Sequence, residues 1–196
     1  MKYDFFAYIS RMKYITRWSL MRATEQENIQ EHSHMTAVLA HALGLIRRDV
    51  YNRPCDPEHL AAVALYHDAP EILTGDLPTP IKYHSRRIKA AYDEVEGVAV
   101  EKLLHALPKS LRPAYRKLLT APQRPAEYQL VKAADRLAAY IKCLEERRAG
   151  NREFLSAEAA TLEKLRDMEL PEVDYFLEQF LPGFLKNLDE LGTLDD

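Results

Sequence analysis

Cysteine is scarce in this chain: Cys55 and Cys143 are the only two among 196 residues. Two thiols cannot build a disulfide framework or a four-thiolate zinc site, and their scarcity points to a reducing compartment. Long apolar runs are missing as well. The longest clean one, Leu60 to Tyr66, falls far short of the ~20 residues that a bilayer helix needs. The N-terminus mixes Lys2 and Asp4 with Phe5 and Phe6 where a signal peptide would place an apolar core. Nor does charge of one sign dominate. Lys and Arg number 27 against 30 Asp and Glu, a net charge of −3, which argues against bulk binding to nucleic acid polymer or to an anionic membrane. These absences lead to the expectation of a cytoplasmic protein with neither as a partner. What remains is ordinary globular composition, 47% hydrophobic and 29% charged, at a length suited to one domain with a real core. No repeat, low-complexity tract or interdomain linker is visible.

Strand-type alternation is scarce and helical spacing is everywhere, so the expected fold class is all-α. Asn28 with Glu31 three residues on forms a capping-box pattern opening a helix, whose apolar stripe reads Met35, Val38, Leu39, Ala42, Leu43, Ile46. Asp56-Pro57-Glu58 opens a second helix, with Leu60, Val63 and Ala64 on a buried face running towards His67. Pro70 is expected to end or bend it. Leu73 to Pro80, with two prolines and a glycine, reads as an ordered loop. A third helix is expected from Ser85 to Ala106 on the stripe Ile88, Ala91/Tyr92, Val95, Ala99, Leu103. A shorter piece between Pro108 and Pro125 precedes a long helix from Glu127 to Ala149. Segments from Ser156 to Met168 and Glu172 to Leu191 follow, the last broken at Pro182-Gly183.

The informative residues are polar groups on faces that should be buried. His32 shares a stripe with Met35 and Leu39, His67 continues the Leu60 face, and Asp68 lies ~100° further round the axis. Asp135 sits at the edge of the apolar face of the long later helix. A lone histidine on such a face is more often a hydrogen-bonded core residue than a ligand, and a bare His-Asp pair is common by chance. Burying two imidazoles and two carboxylates separately is costly, however, and one divalent cation resolves that cost. Nitrogen and oxygen donors without thiolate suit Mn, Co, Fe, Ni or Zn in a catalytic site, with coordination positions left for water or substrate oxygen.

The ordered pattern His32, His67-Asp68, Asp135 resembles that of the HD-domain metal-dependent phosphohydrolases. The segments TRWSLMR (Thr16 to Arg22), ENIQEHS (Glu27 to Ser33), YHDAPEILTGDLPTPIKY (Tyr66 to Tyr83) and VKAADRLAAYIKCLEE (Val131 to Glu146) are similar to those of bacterial 5′-deoxynucleotidases of the YfbR type. The likeness extends to DYFLEQFLPGF near the end. It implies a single HD domain over residues 1–196: a helical bundle with a buried mononuclear metal site held by His32, His67, Asp68 and Asp135. Cobalt, manganese or a similar transition metal is implied as the cofactor. Glu71 matches the family's catalytic carboxylate, positioning or deprotonating the attacking water. Arg17 is implied at the phosphate and in catalysis, and Trp18 near the sugar, where an indole against C2′ would reject a ribose hydroxyl. His32, Asp76, Leu77, Pro78 and Thr79 complete the implied substrate contacts.

The implied reaction is hydrolysis of a deoxyribonucleoside 5′-monophosphate to deoxyribonucleoside and phosphate, by a metal-dependent phosphomonoesterase acting as a homodimer. Tyr175, Phe176 and Phe180 offer either a dimer patch or more monomer core. The alternatives are another HD-type hydrolase (of a deoxynucleoside triphosphate, guanosine tetraphosphate or a cyclic dinucleotide) and a non-catalytic nucleotide-binding module. His34 and His41 are expected to pack or bond locally, and His59, His84 and His105 to be exposed.

Overall fold

The computed structural model describes residues 2–82, 84–120 and 125–192, without the side chains of Thr79, Pro125 and Ala126. The described part is built from α1 (Phe5–Ile9), α2 (Ile29–Leu45), α3 (Pro57–Tyr66), α4 (Glu71–Thr74), α5 (Thr79–Lys82), α6 (Arg86–His105), α7 (Arg112–Leu119), α8 (Pro125–Arg148), α9 (Leu155–Arg166) and α10 (Pro171–Gln179), with short 3-10 turns after α1 and α10. Among the described residues the only β-type pairing is an isolated bridge between Thr16 and Asn28, and no helix is long and apolar enough to cross a membrane. Both cysteines are free, and burial pushes the Cys143 thiol up to about 12.

The helix starts follow their capping chemistry. Asn28 accepts from the backbone of Gln30 and Glu31 while Glu31 reaches back to the Asn28 amide, closing the capping box. Asp56 accepts from the His59 amide at the start of α3, and Ser85 from the Ile88 amide at the start of α6. The helix ends before Pro70, as expected: α3 stops at Tyr66 and a turn over residues 67–70 follows. Pro70 itself has right-handed helical torsions and opens α4, where its missing amide is not needed. The expected loop from Leu73 to Pro80 is accordingly shorter, lying between α4 and α5; Pro122 lies outside the described residues.

The central core joins α2, α3 and α8, flanked by α9 and α10. On α2 the inward face is His32, Thr36, Leu39, Ala40 and Leu43, while Met35 and Ala42 are only half-buried and Val38 is exposed. The expected stripe is thus rotated towards smaller residues, because close helix approach needs little side-chain volume on the contact line. Gly44 shows this most clearly: a Cβ there would lie 2.9 Å from the Pro57 Cα. A second core under α1, α6 and α7 gathers Phe5, Ala69, Val100, Leu103, Leu104, Leu107 and Leu119. Only the C-terminal half of α6 takes part. Ile88, Ala91 and Val95 of its expected stripe are exposed, and Tyr92 is half-buried with its hydroxyl donating to the Gly75 carbonyl at 3.3 Å.

Candidate active site

His67 and Asp68 sit at the end of α3, between Ala64 of the central core and Ala69 of the second one. His67 Nδ1 is 2.6 Å from the Ala64 carbonyl oxygen. That contact assigns the ring proton to Nδ1 and leaves the Nε2 lone pair facing inward. Nε2 is 3.2 Å from Asp68 Oδ1 and 3.9 Å from Asp135 Oδ1. From α2, His32 Nε2 reaches Asp135 Oδ1 at 2.9 Å and Asp68 Oδ2 at 3.8 Å. One donor atom each from His32, His67 and Asp135 fall within 4.8 Å of one another, and Asp68 borders the same point. His67 Nε2 is buried without a hydrogen-bond partner. Two imidazoles and carboxylate oxygens converging around such a lone pair fit a divalent transition ion.

The electrostatics show what the acids do at that point. Burial pulls the His67 imidazolium down, but Asp68 and then Asp135 more than offset it and push the group up to about 9, so a proton stands on His67 that an ion would have to displace. Burial works against ionised Asp68 too, yet His67, His32 and Arg17 hold it well below the usual carboxylate range. Asp135 is lowered against the same opposition, mainly by His32. Glu71, at the start of α4, behaves oppositely: burial, then Asp68 and Asp76, push it up to about 9. A carboxylate in two environments therefore gives two protonation states side by side.

Above this cluster opens a cavity of about 730 Å³. Arg17, Trp18, Asp68, Glu71, Asp76, Leu77, Pro78 and Asp135 all line it, so eight of the residues singled out in the sequence converge there. His32, which the sequence also placed among the substrate contacts, is fully buried and does not line the cavity. The Thr79 side chain lies outside the described ones. Asp76 titrates above its ordinary range, chiefly through burial. Arg17 lies between two acids, with Nη1 3.5 Å from Asp68 Oδ2 and Nε donating to Glu27 Oε2 at 3.2 Å.

Sequence reasoning missed two parts of the wall and one residue behind it. Lys82 lines the cavity from α5, bonded to Glu96 at 3.1 Å and poised over the Tyr92 ring. Ala157, Ala160, Thr161 and Lys164 bring α9 to the opposite side, at the i, i+3, i+4, i+7 spacing that was the available signal. Glu27 was visible in a quoted segment, but its pairing with Arg17 and Trp18 depends on the bridge that closes their loop.

A family model described as 5′-deoxynucleotidase YfbR-like matches residues 4–184. This chain belongs to that family. Among YfbR-like relatives, a 5′-deoxynucleotidase of Erwinia tasmaniensis is 48% identical over 189 residues, covering 96% of each chain. One of Yersinia pestis shows the same identity and coverage. Among solved structures, an HD-domain phosphohydrolase of Listeria innocua superposes with a TM-score of 0.81 at 24% identity, covering 94% of this chain and 90% of that one. The HD phosphohydrolase of cyanophage S-2L, bound to dA and one catalytic Zn2+ ion, gives a TM-score of 0.66 at 22% identity, with 92% and 96% covered. Both share the fold of this YfbR-like chain.

Proposed function

We propose that this chain is a metal-dependent 5′-deoxynucleotidase, releasing phosphate from deoxyribonucleoside 5′-monophosphates. The observation that carries this reading is the joint position of the three-donor cluster and Arg17 at one cavity. His32, His67, Asp68 and Asp135 would hold the ion, which supplies Lewis-acid polarisation and acidifies water when bound. Cobalt or manganese is our choice of activating ion, zinc being the ion of the phage neighbour.

The cations favour a monophosphate. The cavity wall carries the carboxyls of Asp68, Glu71, Asp76 and Asp135 against the cations of Arg17, Lys82 and Lys164, and two of these cations are already paired, Arg17 with Glu27 and Lys82 with Glu96. A triphosphate would call for more positive charge than this wall supplies. Arg17, desolvated and aimed by two acids, meets the phosphoryl oxygens with a planar pair of donors. With a divalent ion close by, the carboxylate form of Glu71 is favoured; it would orient the attacking water and take its proton, and that same proton would then pass to the leaving 5′-oxygen. Trp18 closes the sugar end, and Asp76 accepts from a sugar hydroxyl, with Leu77, Pro78 and Thr79 on its loop.

We read residues 1–196 as one HD domain working in the cytoplasm as a homodimer. The free thiols and the nucleotide substrate support the location. An apolar groove of about 920 Å³ formed by α2, the end of α8, and Phe180 and Phe184 beyond α10 supports the assembly. Phe176 belongs to the core, whereas Phe180 is 49% exposed and available to a second copy. The test of function is phosphate release from a panel of deoxyribo- and ribonucleoside 5′-monophosphates with Mn, Co, Mg and Zn. Metal-dependent release favouring the deoxy series is expected. Equal turnover of both series, or turnover of a triphosphate only, would overturn the assignment.

A further inference from the structure

The loop from Ile15 to Ile29 leaves the bundle and returns through a narrow neck, closed by the Ile29 amide on the Ile15 carbonyl at 3.0 Å and the Arg17 amide on the Glu27 carbonyl at 2.9 Å. Its far end is tied to α8, where the Glu146 carboxylate accepts from the Thr24 amide and hydroxyl at 2.8 and 2.7 Å. Between these ties stands Trp18 with φ of 56°, a left-handed torsion that a large side chain rarely adopts and that is unfavourable for it. Something must hold it. The indole edge meets Phe154 at 5.3 Å between centroids, and the indole Nε1 donates to Glu27 Oε2 at 2.9 Å. The same Oε2 accepts from Arg17 Nε at 3.2 Å. The other oxygen, Oε1, faces the buried and otherwise unpartnered Nδ1 of His32 at 3.8 Å.

We infer that Glu27 is the positioning residue for substrate recognition: one carboxylate oxygen fixes the phosphate-facing Arg17 and the sugar-facing Trp18 in a single register. Glu27 does not line the cavity and touches no reacting atom. It acts through its two donors, so that phosphate binding and the rejection of a 2′-hydroxyl share one anchor. An acceptor oxygen at the right distance is what the arrangement requires. Glu27→Gln keeps such an oxygen, Glu27→Asp withdraws it by one methylene, and Glu27→Ala removes it.

This inference rests on the deoxynucleotidase reading, and a separate readout keeps the two distinguishable. Trp18 is the single tryptophan of the chain, so fluorescence and tryptophan near-UV dichroism report on that side chain alone. Glu27→Ala and Glu27→Asp are expected to show red-shifted, more readily quenched emission with a far-UV spectrum like that of the wild type. KM for dAMP should rise tenfold or more with a smaller change in kcat, and the preference for dAMP over AMP should fall at least tenfold. Glu27→Gln should restore both the emission and the preference. If Glu27→Ala fails to fold, Glu27→Asp and Glu27→Gln carry the comparison. Wild-type emission, KM and preference in the Ala or Asp variant would overturn the inference, as would a Gln variant that behaves like Ala. Should the wild type release no phosphate from dAMP, the functional reading falls, and the Trp18 spectra of the three variants still decide the role of Glu27.

Discussion

Glu71 is the residue on which turnover should depend most directly. Glu71→Gln keeps the volume and removes the titrating proton, so kcat is expected to drop about 10²- to 10⁴-fold with KM and bound metal, measured by elemental analysis, little changed. Asp135→Ala should fail differently, losing metal as well as turnover, because the Asp135 carboxylate bonds to His32 and lies near Nε2 of His67. Trp18→Ala should leave dAMP hydrolysis in place while AMP becomes a comparable substrate, read as the ratio of the two kcat/KM values. These residues were legible because their types are chemically conspicuous and their spacing matches a family pattern. Glu27 was not, since nothing local tells a carboxylate that pairs across a loop neck from one that faces water. Lys82 was hidden for the same reason: its direction is set by Glu96 and Tyr92, on a helix the sequence places but cannot orient.

At the scale of elements, helix starts were read correctly at Asn28, Asp56 and Ser85, where a cap is a local bond between near neighbours. Helix faces were read less well. Periodicity alone favours large apolar side chains, and α2 turns its small ones inward because Gly44 lies against Pro57. Gly44→Ala should therefore destabilise the fold by about 1–3 kcal/mol through overpacking, measured by urea denaturation. A second element-scale tie is Glu146 with Lys142, a buried pair at 2.6 Å that also anchors Thr24. Burial opposes the Glu146 carboxylate, but the bonds from Lys142 and Thr24 hold it far below its ordinary value of 4.5. A depressed carboxyl stabilises the fold fully above that ordinary value and loses the contribution as pH falls towards the folded-state value. Glu146→Ala should remove about 3–5 kcal/mol by breaking the buried pair, leaving Lys142 only the Glu25 carbonyl, and the gap from wild type should shrink in denaturation curves taken below pH 4 to 5.

The whole molecule has its apolar groove on the side formed by α2, the end of α8 and the turn after α10, away from Arg17 and Glu71. If the homodimer proposed above forms through this groove, Phe180→Asp should give a monomer in sedimentation equilibrium where the wild type gives a dimer, while phosphate release per chain persists. The two hydrophobic cores meet at a seam, and the His67-Asp68 step lies on it, between Ala64 and Ala69. His32 and Asp135 come to the same point from helices more than one hundred positions apart in the chain. A cation seated there fastens three distant stretches of polypeptide as a rivet does overlapping plates. Chelation should lower the melting temperature as well as abolish turnover, and each tenfold excess of ion over its dissociation constant should return about 1.4 kcal/mol of unfolding free energy. A cell short of that ion would then hold a less stable protein as well as an idle one.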